Sequence, residues 1–198
     1  MKRLFTLFCA AGLLLSLAAC GRQAGEPAST LKPHVFSEET ETMIDLLTEG
    51  QEAFYFYDYD VDESILSCRT AFWVYEDGAW VSKAQSAGNL RAQQGQFGFR
   101  LDKNGLYTGY EVQEDGHVTY RYEEALPIFE EGAMSGSAAD LNEQEIVPGQ
   151  EICLYVRLRA PEGADSLPIS TESFRSYPCS AGYAVTVTFY DTPLSESE

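Results

Sequence analysis

Histidine is nearly missing from this chain. The 198 residues hold two, His34 and His117, one beside the N-terminal segment and one at a strand start next to a turn. Neither has a predicted partner for a Ser–His or Cys–His couple. Cysteine occurs five times without a Cys-x-x-Cys spacing or a Cys/His cluster, which argues against a structural zinc centre. No glycine-rich phosphate loop or dinucleotide fingerprint is present. The stretch Gly-Ala-Met-Ser-Gly-Ser at 132–137 lacks the Gly-x-Ser-x-Gly order of a nucleophile elbow. Basic residues are scarce, 13 Lys and Arg against 31 Asp and Glu, for a formal charge of −18. Such a chain repels nucleic-acid phosphates and anionic lipid head groups. The excess serves solubility or attracts a cation-rich partner or divalent ions. No apolar run reaches the ~20 residues that cross a bilayer as a helix.

What is present begins at the N-terminus. Lys2 and Arg3 precede an apolar run from Leu4 to Leu17, the pattern of a signal peptide. The run ends in Leu17-Ala18-Ala19-Cys20-Gly21, which resembles the lipobox of bacterial lipoproteins. The resemblance implies cleavage before Cys20 and a diacylglyceryl group on its thiol. Two acyl chains are what stable membrane anchoring requires. Cleavage would leave 179 of the 198 residues, one domain's worth, and move the formal charge from −18 to −20. The expected layout is a signal peptide over 1–19, a lipidated Cys20 with a tether to residue 33, and one domain over 34–198.

With Cys9 lost and Cys20 acylated, Cys68, Cys153 and Cys179 remain, so at most one disulfide forms. Cys68 falls on the apolar face of its strand, where a buried thiol is inert. A Cys153–Cys179 bridge is the pairing to test.

Ser37 is placed to cap a short helix with Glu38 and Glu39 in its first turn, Met43, Leu46 and Leu47 on one face, and Gly50 as the stop. Beyond residue 53 the hydrophobic period becomes two. Strands are predicted over 53–61, 65–75, 79–82, 97–101, 106–112, 117–122, 151–159 and 183–190. Glu76-Asp77-Gly78 and Asn104-Gly105 read as hairpin turns. In the 151–159 strand Ile152, Leu154, Val156 and Leu158 are expected inward. Residues 123–149 and 160–182 read as long loops, where ligand contacts tend to lie. The fold class is mainly β: an antiparallel β-sandwich with one short N-terminal helix, immunoglobulin-like or Greek-key in expected topology, with a barrel as the alternative. The order of these segments over residues 40–190 resembles a group of uncharacterised lipid-anchored β-proteins of Gram-positive bacteria. That resemblance implies fold and place, and carries no activity.

Two sets of residues are candidates for a site. Asp58, Asp60 and Asp62 alternate, with Glu63 beside them. On a straight strand same-face neighbours stand ~6.6 Å apart, too far for calcium's 2.3–2.6 Å oxygen shell. Only a turn gathers Asp60, Asp62 and Glu63 around an ion, so calcium is the one cofactor considered, against a solvated turn. Trp73, Tyr75, Trp80 and either Phe54/Phe56 or Tyr55/Tyr57 supply aromatic surface that stacks on sugar rings or serves as core. The expected role is a membrane-tethered, extracytoplasmic, non-enzymatic binding or adaptor module. Its partner is a protein or glycan, and nucleic acid is excluded by charge. The alternative is a carbohydrate- or peptidoglycan-active enzyme working through an acidic pair. An importer's solute receptor would need two α/β lobes, which this length and pattern do not supply.

Overall fold

The computed structural model describes residues 29–48, 53–102, 106–113, 116–122 and 134–194. The expected signal peptide, Cys20, Gly50 and the expected Asn104-Gly105 turn lie outside them. Among the described residues eleven strands run in chain order: β1 (Thr30–Pro33), β2 (Ala53–Asp60), β3 (Ser67–Glu76), β4 (Ala79–Asn89), β5 (Gln94–Leu101), β6 (Tyr107–Gln113), β7 (Gly116–Tyr122), β8 (Ser135–Ala139), β9 (Gln144–Glu145), β10 (Glu151–Arg159) and β11 (Ala181–Tyr190). Helix α1 spans Glu38–Thr48, and a 3₁₀ turn covers Phe174–Ser176. The strands form a six-stranded sheet in the order β7-β6-β5-β2-β1-β9 and a five-stranded sheet in the order β4-β3-β11-β10-β8. Each pairing is antiparallel. The chain is thus mainly β and a two-sheet sandwich, not a closed barrel.

Alternation explains the main core. In β2 the odd residues Tyr57 and Tyr59 are buried, as are Phe97 and Phe99 of β5, against Phe72 and Val74 of β3 and Val185, Val187 and Phe189 of β11. Phe72 and Tyr107 stack across the two sheets, 4.3 Å between centroids and 8° from parallel. The Tyr57 hydroxyl donates to the carbonyls of Asp140 and Leu154, both at 3.0 Å. The β3–β4 hairpin turns on Asp77 and Gly78, both at positive φ, a type I′ geometry that matches strand twist.

Strand β10 departs from the expected alternation. Its register with β11 shifts between Cys153 and Tyr155, a bulge at Leu154. An extra residue reverses the parity of everything after it. Ile152 and Leu154 face the main core as expected, but beyond the bulge Tyr155 joins them. Val156 and Leu158 instead turn to the opposite side of the sheet. There, with Cys153, Phe174, Cys179 and Ala184, they build a second, smaller core. Its roof is the 160–180 connection, which lays Leu167, Ile169 and Phe174 over the five-stranded sheet.

The N-terminal boundary also differs. Residues 30–33, expected as tether, form β1 between β2 and β9, with Leu31 and Ser29 buried. Four residues ending in proline carry too short a pattern to announce a strand, and only the flanking strands make them one. Helix α1 is capped as expected: the Thr40 amide donates to Ser37 Oγ at 3.3 Å. Met43, Leu46 and Leu47 do share a face, yet that face is turned to solvent, 57 %, 75 % and 81 % exposed.

The tyrosines set an alkaline limit on this fold. Burial is the largest cause raising the phenols of Tyr55, Tyr57, Tyr59, Tyr107, Tyr120 and Tyr183, the last up to about 12. Above the ordinary value of 10 the unfolded chain releases these protons while the folded chain holds them, so stability falls with rising pH. Below pH 10 the contribution is complete. Tyrosinate absorbance is expected to rise steeply between about pH 10 and 12, together with loss of the β circular-dichroism signal. A gradual titration centred near 10 with structure retained would contradict this.

Candidate ligand-binding face

Because the odd residues of β2 fill the core, its even residues Phe54, Phe56, Asp58 and Asp60 form the outer side of the six-stranded sheet. Strand register extends each into a row. Phe56 stands opposite Gly98 of β5, which stands opposite Tyr110 of β6. The Phe56 and Tyr110 rings meet above Gly98, 5.9 Å apart and 21° from parallel, although their strands are not neighbours. A Cβ on Gly98 would lie 2.6–2.7 Å from three Phe56 ring carbons, so the ring rests on the glycine. Cross-strand aromatic–glycine packing of this kind pins register. Phe36, from the link between β1 and α1, stacks on Phe54 at 6.2 Å and meets Phe56 edge-on at 5.8 Å. All four rings are half-buried.

The next rows are polar. Lys32, Asp58, Gln96 and Val112 align across β1, β2, β5 and β6, and Thr30, Asp60 and Gln94 follow. His34 Nδ1 lies 2.9 and 3.0 Å from the two Asp58 oxygens. Gln96 Nε2 donates to Asp58 Oδ1 at 2.8 Å, and Gln94 Nε2 donates to Asp60 Oδ2 at 2.9 Å. With its proton on Nδ1 the imidazole donates to Asp58, and the Gln96 amide, its Nε2 3.1 Å from Nδ1, donates to the same Oδ1. These rows floor an open trough of about 450 Å³, directly beside the rings. Its lining includes Thr30, Lys32, Asp58, Asp60, Gln94 and Gln96. The arrangement sets flat apolar rings next to carboxylates and amides that orient one another.

Three aromatic residues singled out from sequence are placed elsewhere. Trp73, Tyr75 and Trp80 lie on the outer side of the five-stranded sheet under the 160–180 connection. Trp80 packs edge-on to Phe174 at 5.0 Å, and the Arg175 guanidinium sits 4.1 Å above the Trp73 ring. Trp73 Nε1 donates to Thr186 Oγ1, which donates to Glu151, and Glu151 holds Arg175 at 2.9 Å. The protein's own arginine therefore occupies the Trp73 ring. Around this pair the two long loops do meet, at a cavity of about 330 Å³ lined by Asp140, Gln144 and the 171–176 segment.

Asp60, Asp62 and Glu63 do not converge. Asp60 faces Gln94, whereas Asp62 Oδ1 accepts from the Ser64 amide at 2.8 Å and closes a turn. Among the described residues no three His, Cys, Asp or Glu side chains group as a metal site. Cys68, Cys153 and Cys179 are buried free thiols, and burial pushes all three above the ordinary thiol value. Cys153 and Cys179 share the second core without a bond. The chain matches no protein-family model, no curated protein and no solved structure.

The sequence left the Phe54/Phe56 and Tyr55/Tyr57 faces as equals. A signal did exist, because Asp58 and Asp60 share parity with the phenylalanines while Val61 shares it with the tyrosines. Phe36, Tyr110, His34 and Gln96 carried no such signal. They join the face only through tertiary register.

Proposed function

We propose that the chain is a lipid-anchored, non-enzymatic binding module on the outer side of the cytoplasmic membrane, with the outer side of its six-stranded sheet as the binding face. One observation carries the binding reading. A long connection roofs the five-stranded sheet, whereas the six-stranded sheet presents an aromatic row and a polar trough side by side. The lipobox supports the location. With β1 starting at Thr30, residues 21–28 and their flanking bonds span at most about 30 Å. The ligand must therefore lie close to the membrane.

Two experiments test the two halves. Cys20→Ala is expected to move the protein from the membrane pellet to the soluble fraction, and continued pelleting would overturn the anchor. Purified protein is expected to co-sediment with cell-envelope material without degrading it, and Phe56→Ala to reduce that binding. Degradation of a wall polymer that stops when one carboxylate is replaced would establish the enzyme reading instead. Asp58 and Asp60, two same-face carboxylates ~6.6 Å apart along the strand, are the pair to replace first.

A further inference from the structure

We propose that the ligand of this face is a neutral pyranose oligosaccharide. It would lie along β2, with sugar rings on the Phe56–Tyr110 row and hydroxyls in the Asp58–Gln96 trough; this rests on the binding-module reading above.

Three features argue for this chemistry. The first is shape. The Phe56 ring rests on Gly98, and from Phe54 to Asp60 the face runs three same-face steps, about 20 Å. That is an extended open platform for several linked rings rather than a pocket for one small molecule. The second is the polar complement. Carboxylates and primary amides accept and donate in one plane, and Asp58, Asp60, Gln94 and Gln96 are already oriented by one another. A sugar presents vicinal hydroxyls that both donate and accept, so it satisfies both types of group at once. Bonds from hydroxyls to a carboxylate are the stronger, charge-assisted kind. The third is charge. The trough holds Asp58 and Asp60 against Lys32, within a chain of formal charge −18. Uronic-acid, sulfated or phosphate-bearing polymers meet repulsion there, and neutral sugars do not.

The trough is open, so binding should be weak, with Kd between about 10 μM and 1 mM. The probes are neutral β-gluco-oligosaccharides and N-acetylated chito-oligosaccharides of two to six rings, titrated calorimetrically into the full chain in detergent micelles. Polygalacturonate at equal sugar concentration is the anionic comparison. At least one neutral series should bind, more tightly with added rings and independently of salt. The series that binds identifies plain or N-acetylated sugar as the source. Polygalacturonate should bind at least tenfold more weakly. Phe56→Ala and, separately, Gln96→Ala should each weaken binding at least tenfold, and Gln96→Ala, which removes a half-buried amide outside the core, keeps the test open if the aromatic variant unfolds. Absence of binding by both neutral series overturns the proposal, as does equal binding of the anionic polymer or indifference to both variants. If envelope co-sedimentation still falls with Phe56→Ala while both sugars fail, the ligand class is wrong and the binding-module reading stands. If co-sedimentation is absent as well, both fall.

Discussion

A fragment starting at His34 is expected to melt at least ~10 °C below one starting at Ser29, although it lacks only five residues and retains the whole region that reads as domain in the sequence. The missing residues are an internal strand of a sheet. Thr30 and Leu31 pair with β2 on one side and with β9 on the other, and Ser29 accepts from the Ile146 amide at 2.9 Å. Ser29 Oγ also accepts from the Asp62 amide at 3.0 Å. Leu31 is a core residue, and loss of a buried leucine side chain alone costs about 2–5 kcal/mol. The rest of β1 takes backbone hydrogen bonds from both neighbours with it. At about 2–4 °C per kcal/mol for a domain of this size, the loss consumes much of the usual stability. Thermal unfolding followed by circular dichroism measures it. Equal midpoints for the two fragments would show that β1 contributes nothing.

Phe72→Ala is expected to cost about 3–5 kcal/mol, while Phe54→Ala, the same chemical change on the outer face, costs about 1 kcal/mol or less. Phe72 is fully buried and stacks on Tyr107 of the opposite sheet, with Tyr122 at 5.6 Å and Tyr183 at 6.2 Å. Its removal opens a cavity between sheets whose backbones cannot close on it, because each is held by its own ladder. The half-buried Phe54 borders solvent, so water fills the space it leaves. Urea denaturation with an unchanged slope separates the two variants. Comparable losses would mean that the outer rings are a structural core rather than a presented surface.

The legible and illegible parts of the fold divide by how much of a strand's environment its own residues record. Strands β3, β10 and β11 sit against two layers and carry dense β-branched and aromatic patterns, and they formed within about two residues of where the pattern puts them. Strand β4, "AWVSKAQSAGN", runs to Asn89, far beyond the short strand expected at 79–82. It is an edge strand with little buried surface, so its sequence has little reason to alternate. Strands β8 and β9 hid within an expected loop for the same reason. At the candidate face, Phe54, Phe56, Asp58 and Asp60 were visible as a parity set. Their partners Gly98, Tyr110 and Gln96 lie 38 to 54 residues further on and share no local pattern with them.

The sequence by itself determined that this chain is a stack of antiparallel strands with a wet side and a dry side, because alternation is a local property of neighbouring residues. Only the tertiary structure decided which outward aromatic residues are covered and which are left at the surface. That choice depended on the bulge at Leu154, on β1 completing a sheet and on one long connection lying over Trp73 and Trp80. Each of these is a contact between distant segments whose energy no single segment contains.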